Sequence, residues 1–178
     1  MPVHPQPSRT EPEAHHFADD GHIPNSRLPV LIYRGALDPA SADLASLFEQ
    51  LFTRNDWRGA WRDGVYPFHH FHSTSHEVLG IARGRARVRL GGEVGQSFEL
   101  SAGDVVVLPA GVGHKDEGSS PDLLVVGAYP EGRSWDVCRG DPAEREEVLA
   151  NLAQVPLPEQ DPVHGREGPL PARWRVGA

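Results

Sequence analysis

The sequence predicts an all-β protein, a sandwich or barrel of short strands with a few flanking helices. Polar and apolar residues alternate at 85–90 within the region 66–128, which is the period of a half-buried strand. Glycine and proline interrupt this region at turn positions, at 91–92, 103–104 and 109–111. Many short strands divided by such turns favour a sandwich or barrel over a parallel α/β sheet.

The residues before this region predict a tail, one strand and one helix. Residues 1–20 are rich in proline, histidine and acidic residues and contain a single large apolar residue, which predicts a flexible N-terminal tail. Residues 28–34 (LPVLIYR) predict a short strand. A helix is predicted to begin at Asp38, with Pro39 in its first turn, and to end near Asn55, because the apolar residues between them repeat at helical spacing.

The residues after the strand-rich region predict a second helix and an irregular end. Asp141 is the predicted cap of a helix over 142–153, with Glu144 completing a capping box. From Pro156 onward there is no periodicity, which predicts an irregular strap over the barrel. We therefore expect residues 21–178 to form one domain, whose barrel core covers about 60–130.

Composition excludes several classes of function. The net charge of −8 argues against nucleic acid or an anionic membrane surface as the main partner. No apolar run reaches the ~20 residues needed to span a bilayer, and the N-terminus has no signal-peptide core, so a cytoplasmic protein is expected. The single cysteine, Cys138, excludes a disulfide framework within the chain. The arginines at 85, 87 and 89 are interpreted as a guard against pairing at a sheet edge.

Candidate metal ligands are concentrated in one short stretch. Four of the ten histidines fall within eight residues and are followed at once by a glutamate: His69, His70, His72, His76 and Glu77. Alternate side chains of a strand share a face, so His70 and His72 are expected to point together. A turn through residues 73–75 would let Glu77, on the next strand, return beside these imidazoles.

A fourth donor is expected from a separate turn. The run from Gly103 to His114 reads as a strand that ends in a Pro-Ala-Gly turn and presents one histidine after the bend. The two stretches together resemble the two motifs of the cupin superfamily. The first motif is matched by Gly64, five residues, His70-Phe71-His72, four residues, Glu77, six residues and Gly84. The second is matched by Gly103, five residues, Pro109-Ala110-Gly111, two residues and His114, with Gly118 standing where the motif often ends in asparagine.

The resemblance implies a fold, a ligand set and a family branch. It implies a cupin double-stranded β-helix, a jelly-roll barrel, in which His70, His72, Glu77 and His114 hold a divalent metal ion. Three imidazole nitrogens and one carboxylate oxygen suit Fe, Mn, Ni or Zn, and an octahedral ion would keep two positions for water, substrate or dioxygen. Over residues 19–175 the chain is similar to a branch of uncharacterised bacterial single-domain cupins.

Several residues keep alternative interpretations. The clustered histidines could instead hydrogen-bond within the barrel of a degenerate cupin that holds no ion. His69 and His76 fall on the opposite side of a regular strand from His70 and His72, which favours a surface or supporting role over ligation. Asp116 could face the barrel mouth or be a solvated turn acid, and Arg83 could meet an anionic substrate or lie on the surface. Tyr66 could line a pocket or pack in the core.

Two classes of function remain open from the sequence. The first is a metal-dependent enzyme of dioxygenase, isomerase or lyase type that acts on a small organic molecule in the barrel, with Glu77 able to accept a proton. The second is a cupin that binds a metal or a small molecule without turnover. A transcription regulator is disfavoured because there is no helix-turn-helix pattern. The resemblance also allows a homodimer.

Overall fold

The computed structural model describes residues 3–177 and contains two antiparallel sheets with flanking helices. The strands are β1 (Glu13–Phe17), β2 (Ser26–Tyr33), β3 (Trp57–Asp63), β4 (Glu77–Arg83), β5 (Arg85–Leu90), β6 (Gln96–Ser101), β7 (Val105–Leu108), β8 (His114–Ser119) and β9 (Leu124–Pro130). The helices are α1 (Leu44–Arg54), α2 (Arg145–Leu152) and α3 (Pro169–Gly177), and a 3₁₀ turn covers Pro142–Glu144.

The strand order is that of a jelly roll. One sheet has the order β1-β2-β7-β4-β9-β3 and the other has the order β6-β5-β8. The chain passes from the first sheet to the second between β4 and β5 at Gly84, whose φ of 73° a side-chain-bearing residue rarely adopts. Every strand pairing in the two sheets is antiparallel. The predicted all-β double-stranded β-helix is confirmed.

The register of β4 decides which side chains face the barrel interior. Leu79 and Ile81 pack in the core between the two sheets, whereas Val78 and Ala82 pack in the core under the helices. Glu77 shares the parity of Leu79 and Ile81, so its carboxylate faces the interior. This confirms the expectation that β4 turns Glu77 inward.

The first helix begins later than the sequence predicts. It starts at Leu44, where the carboxylate of Asp43 accepts a hydrogen bond from the backbone N–H of Ser46 at 3.1 Å. Asp38 instead accepts from the N–H of Ala40, which closes a turn before the helix. The predicted start at Asp38 is therefore wrong, because two acidic caps precede the same apolar stripe and the second one is used. The predicted end at Asn55 is confirmed as the C-cap.

The predicted flexible tail contains a strand. Glu13–Phe17 pairs antiparallel with β2, so this part of residues 1–20 belongs to the larger sheet. Phe17 is half-buried against the barrel core. The expectation of a tail is wrong here because the exposed edge of β2 supplies the backbone partners that the segment cannot supply alone.

The C-terminal strap contains a helix that the sequence analysis did not predict. α3 covers Pro169–Gly177, and its Trp174 is fully buried, with the indole N–H donating to the carbonyl of Pro29 at 3.0 Å. The buried carboxylate of Asp161 fixes the strap: it accepts from the Tyr33 hydroxyl and from the N–H of Leu170 at 3.2 Å. Leu170 and Trp174 are buried apolar residues of α3, and a single pair at helical spacing is too short a pattern to predict a helix from the sequence alone.

The second predicted helix is present and is capped by Asp141 as expected, but without the predicted capping box. The segment 142–153 contains the 3₁₀ turn and α2, as expected. The Asp141 carboxylate accepts from the N–H of Ala143 at 2.9 Å and not from that of Glu144, so the predicted capping box is wrong. The extent of the domain over 21–178 stays a prediction. Within the described residues, no helix combines the length and the apolar character that crossing a membrane requires.

The arginine stripe of β5 lies on a central strand. β5 is hydrogen-bonded to β6 on one side and to β8 on the other. The predicted role of these arginines as an edge guard is therefore wrong, although their side chains do lie on the solvent-facing side of β5. Arg87 lies 3.4 Å from the Glu99 carboxylate and 3.8 Å from that of Glu117. These cross-strand ion pairs are exposed and contribute at most about 1 kcal/mol each.

His76 predicts a pH dependence of stability. Its Nδ1 accepts the N–H of Ala110 at 2.8 Å and its Nε2 lies 3.2 Å from the carbonyl oxygen of Pro156, an arrangement that requires the neutral ring. Burial, together with Arg133, lowers the pKa of His76 to about 4. The unfolded chain binds this proton near pH 6.5 and the folded chain near pH 4, so stability contributed by the neutral ring is lost as the pH falls through that window.

We expect His76→Gln to remove this pH dependence of stability, because glutamine does not titrate and its amide oxygen can still accept the N–H of Ala110. Urea unfolding with a chelator present, at pH 7 and pH 4.5, should show the wild type losing about 2–3 kcal/mol more than the variant. Parallel losses in both proteins would contradict the assignment.

Candidate metal centre

The segment that carries the first two histidines is held by backbone bridges, not by a regular strand. The regular strand expected to carry His70 and His72 is absent from the described structure, and only single bridges form at His70 and Phe71. His70 exchanges both backbone hydrogen bonds with His114, at 3.2 and 2.9 Å. Phe71 does the same with Cys138, at 2.9 Å each. The extended backbone keeps the side-chain alternation that the sequence predicts.

The alternation separates the neighbouring side chains. Phe71 turns into a small apolar cluster with Ile23, Cys138 and Val148. His70 and His72 turn to the other side, where their ring centroids are 5.9 Å apart. The pairing of His70 with the first residue of β8 brings the His114 ring within 4.0 Å of the His70 ring, centroid to centroid. Three imidazoles from two separate motifs therefore share one space.

Each of these imidazoles is oriented by a backbone carbonyl oxygen. The Nδ1 of His70 lies 3.0 Å from the carbonyl oxygen of Phe68, and that of His114 lies 3.1 Å from that of Val112. The Nδ1 of His72 is hydrogen-bonded to the carbonyl oxygen of Asp136. A carbonyl oxygen only accepts, so Nδ1 carries the proton in all three rings. The Nε2 of His70 and that of His114 are therefore left with a lone pair, as in metal-binding histidines, whereas the Nε2 of His72 contacts the Glu77 carboxylate.

The donor atoms converge. One ring nitrogen from each of His70, His72 and His114 lies within 4.8 Å of the other two, and all three residues are buried. The Glu77 carboxylate, also buried, contacts the Nε2 of His72 through its Oε2. Within this cluster, the Nε2 of His114 is buried without a hydrogen-bond partner among the described residues. Unpaired buried donors and acceptors are costly, which marks this cluster as built for a ligand.

The electrostatics of the cluster keep two of the rings neutral. Burial lowers the pKa of His70, and burial with the two neighbouring imidazoles holds the pKa of His114 well below its usual range. Burial alone would lower the pKa of His72 as well, but the adjacent Glu77 carboxylate raises it on balance. Neutral imidazoles and an ionised carboxylate are the forms that bind a divalent cation.

The other two histidines of the stretch face away from this cluster. His69 lies with its Nε2 2.9 Å from the exposed Glu93 carboxylate. His76 is buried, packs on the ring of Trp174 at 4.7 Å and holds the turn at Ala110. Their placement agrees with the surface or supporting roles favoured by parity.

Two further candidates lie outside the cluster. The Asp116 carboxylate accepts from the N–H of Gly118 at 2.8 Å, which makes it a turn acid on β8. Arg83 is exposed at the end of β4. Neither residue lines the cavity described next.

The donor cluster lies in a cavity of about 420 Å³. His70, His72, Glu77 and His114 all line it. Its apolar and aromatic lining residues include Trp61, Val65, Tyr66, Leu79, Tyr129 and Trp135. Tyr66, left open between pocket and core, therefore lines the cavity and is 48% exposed. A cavity of this size, mostly apolar with a few convergent polar groups, is typical of a small-molecule site.

The sequence analysis missed Tyr129 in β9 and the aromatic and acidic residues that follow this strand. Tyr129 and Trp135 are stacked, with centroids 5.5 Å apart and an interplanar angle of 17°, and the ring centroid of Trp135 lies 5.4 Å from that of His72. The hydroxyl of Tyr129 accepts the indole N–H of Trp61 at 2.8 Å. Tyr129 was detectable as an alternating residue of β9, but nothing in the pattern of residues 131–138 places Trp135 near a histidine.

Asp136 joins the segment after β9 to the turn that follows His72. Its carboxylate accepts from the Ser73 N–H at 2.6 Å and from the Ser73 and Cys138 side chains. Burial alone would raise the pKa of Asp136, but these hydrogen bonds lower it on balance, so the group is ionised. Burial and the same carboxylate raise the pKa of the Cys138 thiol to about 12, which leaves it unreactive.

Comparison with known proteins finds one close curated relative. The uncharacterised protein YjlB of Bacillus subtilis (strain 168) is 43% identical over 165 residues, which cover 92% of this chain and 97% of the relative. No protein-family model matches the sequence.

Solved structures show more distant likenesses. An acireductone dioxygenase from Bacillus anthracis with a cadmium ion in its active centre is 15% identical, with a TM-score of 0.42 over 60% of this chain and 82% of that one. The TDP-quinovose 3,4-ketoisomerase WlaRB of Campylobacter jejuni is 14% identical, with a TM-score of 0.41 over 53% and 75%. An oxalate decarboxylase is 19% identical, with a TM-score of 0.37 over 72% and 28%. Likenesses at this level carry no argument about the reaction of this chain.

The hydrogen bonds of Asp136 predict a stability difference between two variants. Asp136→Ala leaves the fully buried Ser73 without its acceptor and should lower the free energy of unfolding by about 1–3 kcal/mol. Asp136→Asn keeps one acceptor oxygen and should cost less. Urea denaturation measures both, with the exposed acid variant Asp122→Ala as the control that stays near the wild type. Equal stability of Asp136→Ala and the wild type would contradict this role.

Proposed function

This chain belongs to the family of bacterial cupin proteins that includes YjlB of Bacillus subtilis, and we propose that it is a metal-dependent enzyme acting on a small organic molecule. The observation that carries the proposal is the convergence of three buried imidazoles, with the Glu77 carboxylate in contact with one of them, in a cavity of about 420 Å³. The metal ligands would be His70, His72, Glu77 and His114.

The residues present fit a divalent cation. Three neutral nitrogens and one hard oxygen suit Fe, Mn, Ni or Zn. The buried Nε2 of His114 has no hydrogen-bond partner among the described residues, and the Glu77 carboxylate contacts the ring of His72, an arrangement expected of metal ligands. When bound, such an ion polarises a substrate oxygen, and Fe in addition supplies one-electron chemistry with dioxygen.

Residues of the chain supply the remaining functions. Glu77 offers a carboxylate oxygen that can accept a proton from a bound substrate. The Tyr129 hydroxyl accepts from Trp61, so its own O–H is available to a substrate oxygen. Burial and the Glu77 charge raise the pKa of Tyr129, which keeps the phenol protonated. Tyr129 therefore orients an oxygen-bearing substrate, while the aromatic lining excludes water.

The reaction would be of dioxygenase, isomerase or lyase type. The competing function is a cupin that binds a metal and a small molecule without turnover. It is favoured by the lining itself: among the described residues, the cavity has no cysteine, serine or lysine that could act as a nucleophile. The enzyme interpretation instead relies on Glu77 and the ion.

Metal binding is expected to depend on the clustered histidines and not on His69. In calorimetric titration of chelator-treated protein with Zn(II), the wild type should bind one equivalent. His114→Ala should weaken binding by more than about 100-fold because it removes a ligand. Even the loss of a residue that only hydrogen-bonds to a ligand weakens metal binding about 10–100-fold. His69→Ala is the matched control from the same stretch and should bind like the wild type. Loss of binding in both variants, or in neither, would contradict this ligand set.

Turnover is tested by loading the protein with Fe(II) without oxygen and then following oxygen uptake and product mass over a metabolite panel. The Mn, Ni and Zn forms are screened by mass spectrometry for isomerase and lyase products. We expect turnover with at least one metal and a loss of about 100-fold or more in Glu77→Gln. Saturable ligand binding without product in all four forms would establish the non-catalytic alternative.

A further inference from the structure

Two aromatic groups lie beside different histidines of the donor cluster. Trp135, stacked on Tyr129, has its ring centroid 5.4 Å from that of His72. Tyr66, stacked on Phe68 with centroids 4.9 Å apart, has its ring centroid 5.0 Å from that of His70. A molecule bound at the donors is therefore close to an aromatic surface at each of these two histidines.

The first of these surfaces is rigid. Trp61 donates to the Tyr129 hydroxyl, and its indole covers Gly127 so closely that a Cβ there would clash. Tyr129 is 2% exposed and fixed in β9, whereas Trp135 is 44% exposed. We call Trp61, Tyr129 and Trp135 the aromatic wall. A large aromatic side chain left open at a cavity mouth provides apolar contact area with little loss of conformational entropy on binding.

Among the described lining residues, no free cationic side chain is available to bind a phosphate. Arg62 is the single arginine among the described lining residues, and no lysine is among them. Its guanidinium is 2.5 Å from the Glu49 carboxylate and 3.1 Å from the Ser46 hydroxyl, so it is already engaged outside the cavity. The other charged lining residues are the acids Asp63 and Glu77. Phosphate recognition in proteins uses free arginine, lysine or helix N-terminal donors.

We propose that the ligand of this cavity is a small, flat aromatic molecule that carries one or two oxygen donors and no phosphate. Its ring lies against the aromatic wall, and its oxygen lies toward the donor cluster and the Tyr129 hydroxyl. A cavity of about 420 Å³ accommodates one or two fused rings of this kind. The inference rests on the proposed function, because the oxygen donors are directed at the metal ligands.

The test uses 4-nitrocatechol as the ligand and the Zn(II)-loaded protein, which is redox-inert. Binding is read from the visible absorption of the nitrocatechol and from quenching of tryptophan fluorescence. Trp135→Ala should weaken binding by roughly tenfold, and Trp135→Leu, which restores apolar bulk without a ring, should remain weakened. Trp135→Phe should bind within a few-fold of the wild type. Val137→Ala is the matched control, an apolar residue of the same segment that is 42% exposed and does not line the cavity.

Glucose 6-phosphate serves as the phosphorylated competitor and should not displace 4-nitrocatechol. The zinc titration is run first on every variant, so failure of the two proposals is distinguishable. No zinc binding by the wild type would overturn the proposed function and, with it, this inference. Zinc binding without nitrocatechol binding would overturn only the ligand class. Nitrocatechol binding that Trp135→Ala and Trp135→Leu leave unchanged, or its displacement by glucose 6-phosphate, would overturn the ligand class as well.

Discussion

Each of the three clustered imidazoles donates its Nδ1–H to a backbone carbonyl oxygen, and this constraint turns every Nε2 toward the same space. The three carbonyls belong to Phe68, Val112 and Asp136, which lie in three different connections. The site therefore forms only when the barrel has closed and the segment after β9 has crossed it. Metal affinity and folding are consequently coupled in this protein.

The backbone bridges of His70 and Phe71 determine where the side chains of the site lie. One bridge ties the histidine segment to β8 and places His114 beside His70, while the other ties it to Cys138. Between them, alternation sends the imidazoles to the cavity and Phe71 to an apolar cluster. The segment after β9 carries both Asp136 and Trp135. It therefore supplies the carbonyl oxygen that orients His72 and a side chain of the aromatic wall that would contact a substrate.

Those parts of the structure that depend on parity were predictable from the sequence. The inward direction of Glu77, the shared side of His70 and His72, and the opposite placement of His69 and His76 follow from a side-chain period of two. The start of α1 was not predictable from the sequence, because Asp38 and Asp43 are both suitable N-caps. The pairing of β1 and the contacts of Trp135 depend on partners far away in the sequence, and no local pattern encodes them. The central position of β5 likewise depends on β8, a strand that lies beyond β6 and β7 in the sequence.

X-ray absorption spectroscopy at the zinc edge tests the central claim most directly, on protein reconstituted with one equivalent of Zn(II). The account predicts scattering from three imidazole rings and at least one oxygen, with bond lengths of about 2.0–2.2 Å. It also predicts that His114→Ala loses one imidazole or the ion itself. A spectrum with fewer than two imidazoles in the wild type, or with a sulfur ligand from Cys138, would contradict the convergence of these side chains on one cation.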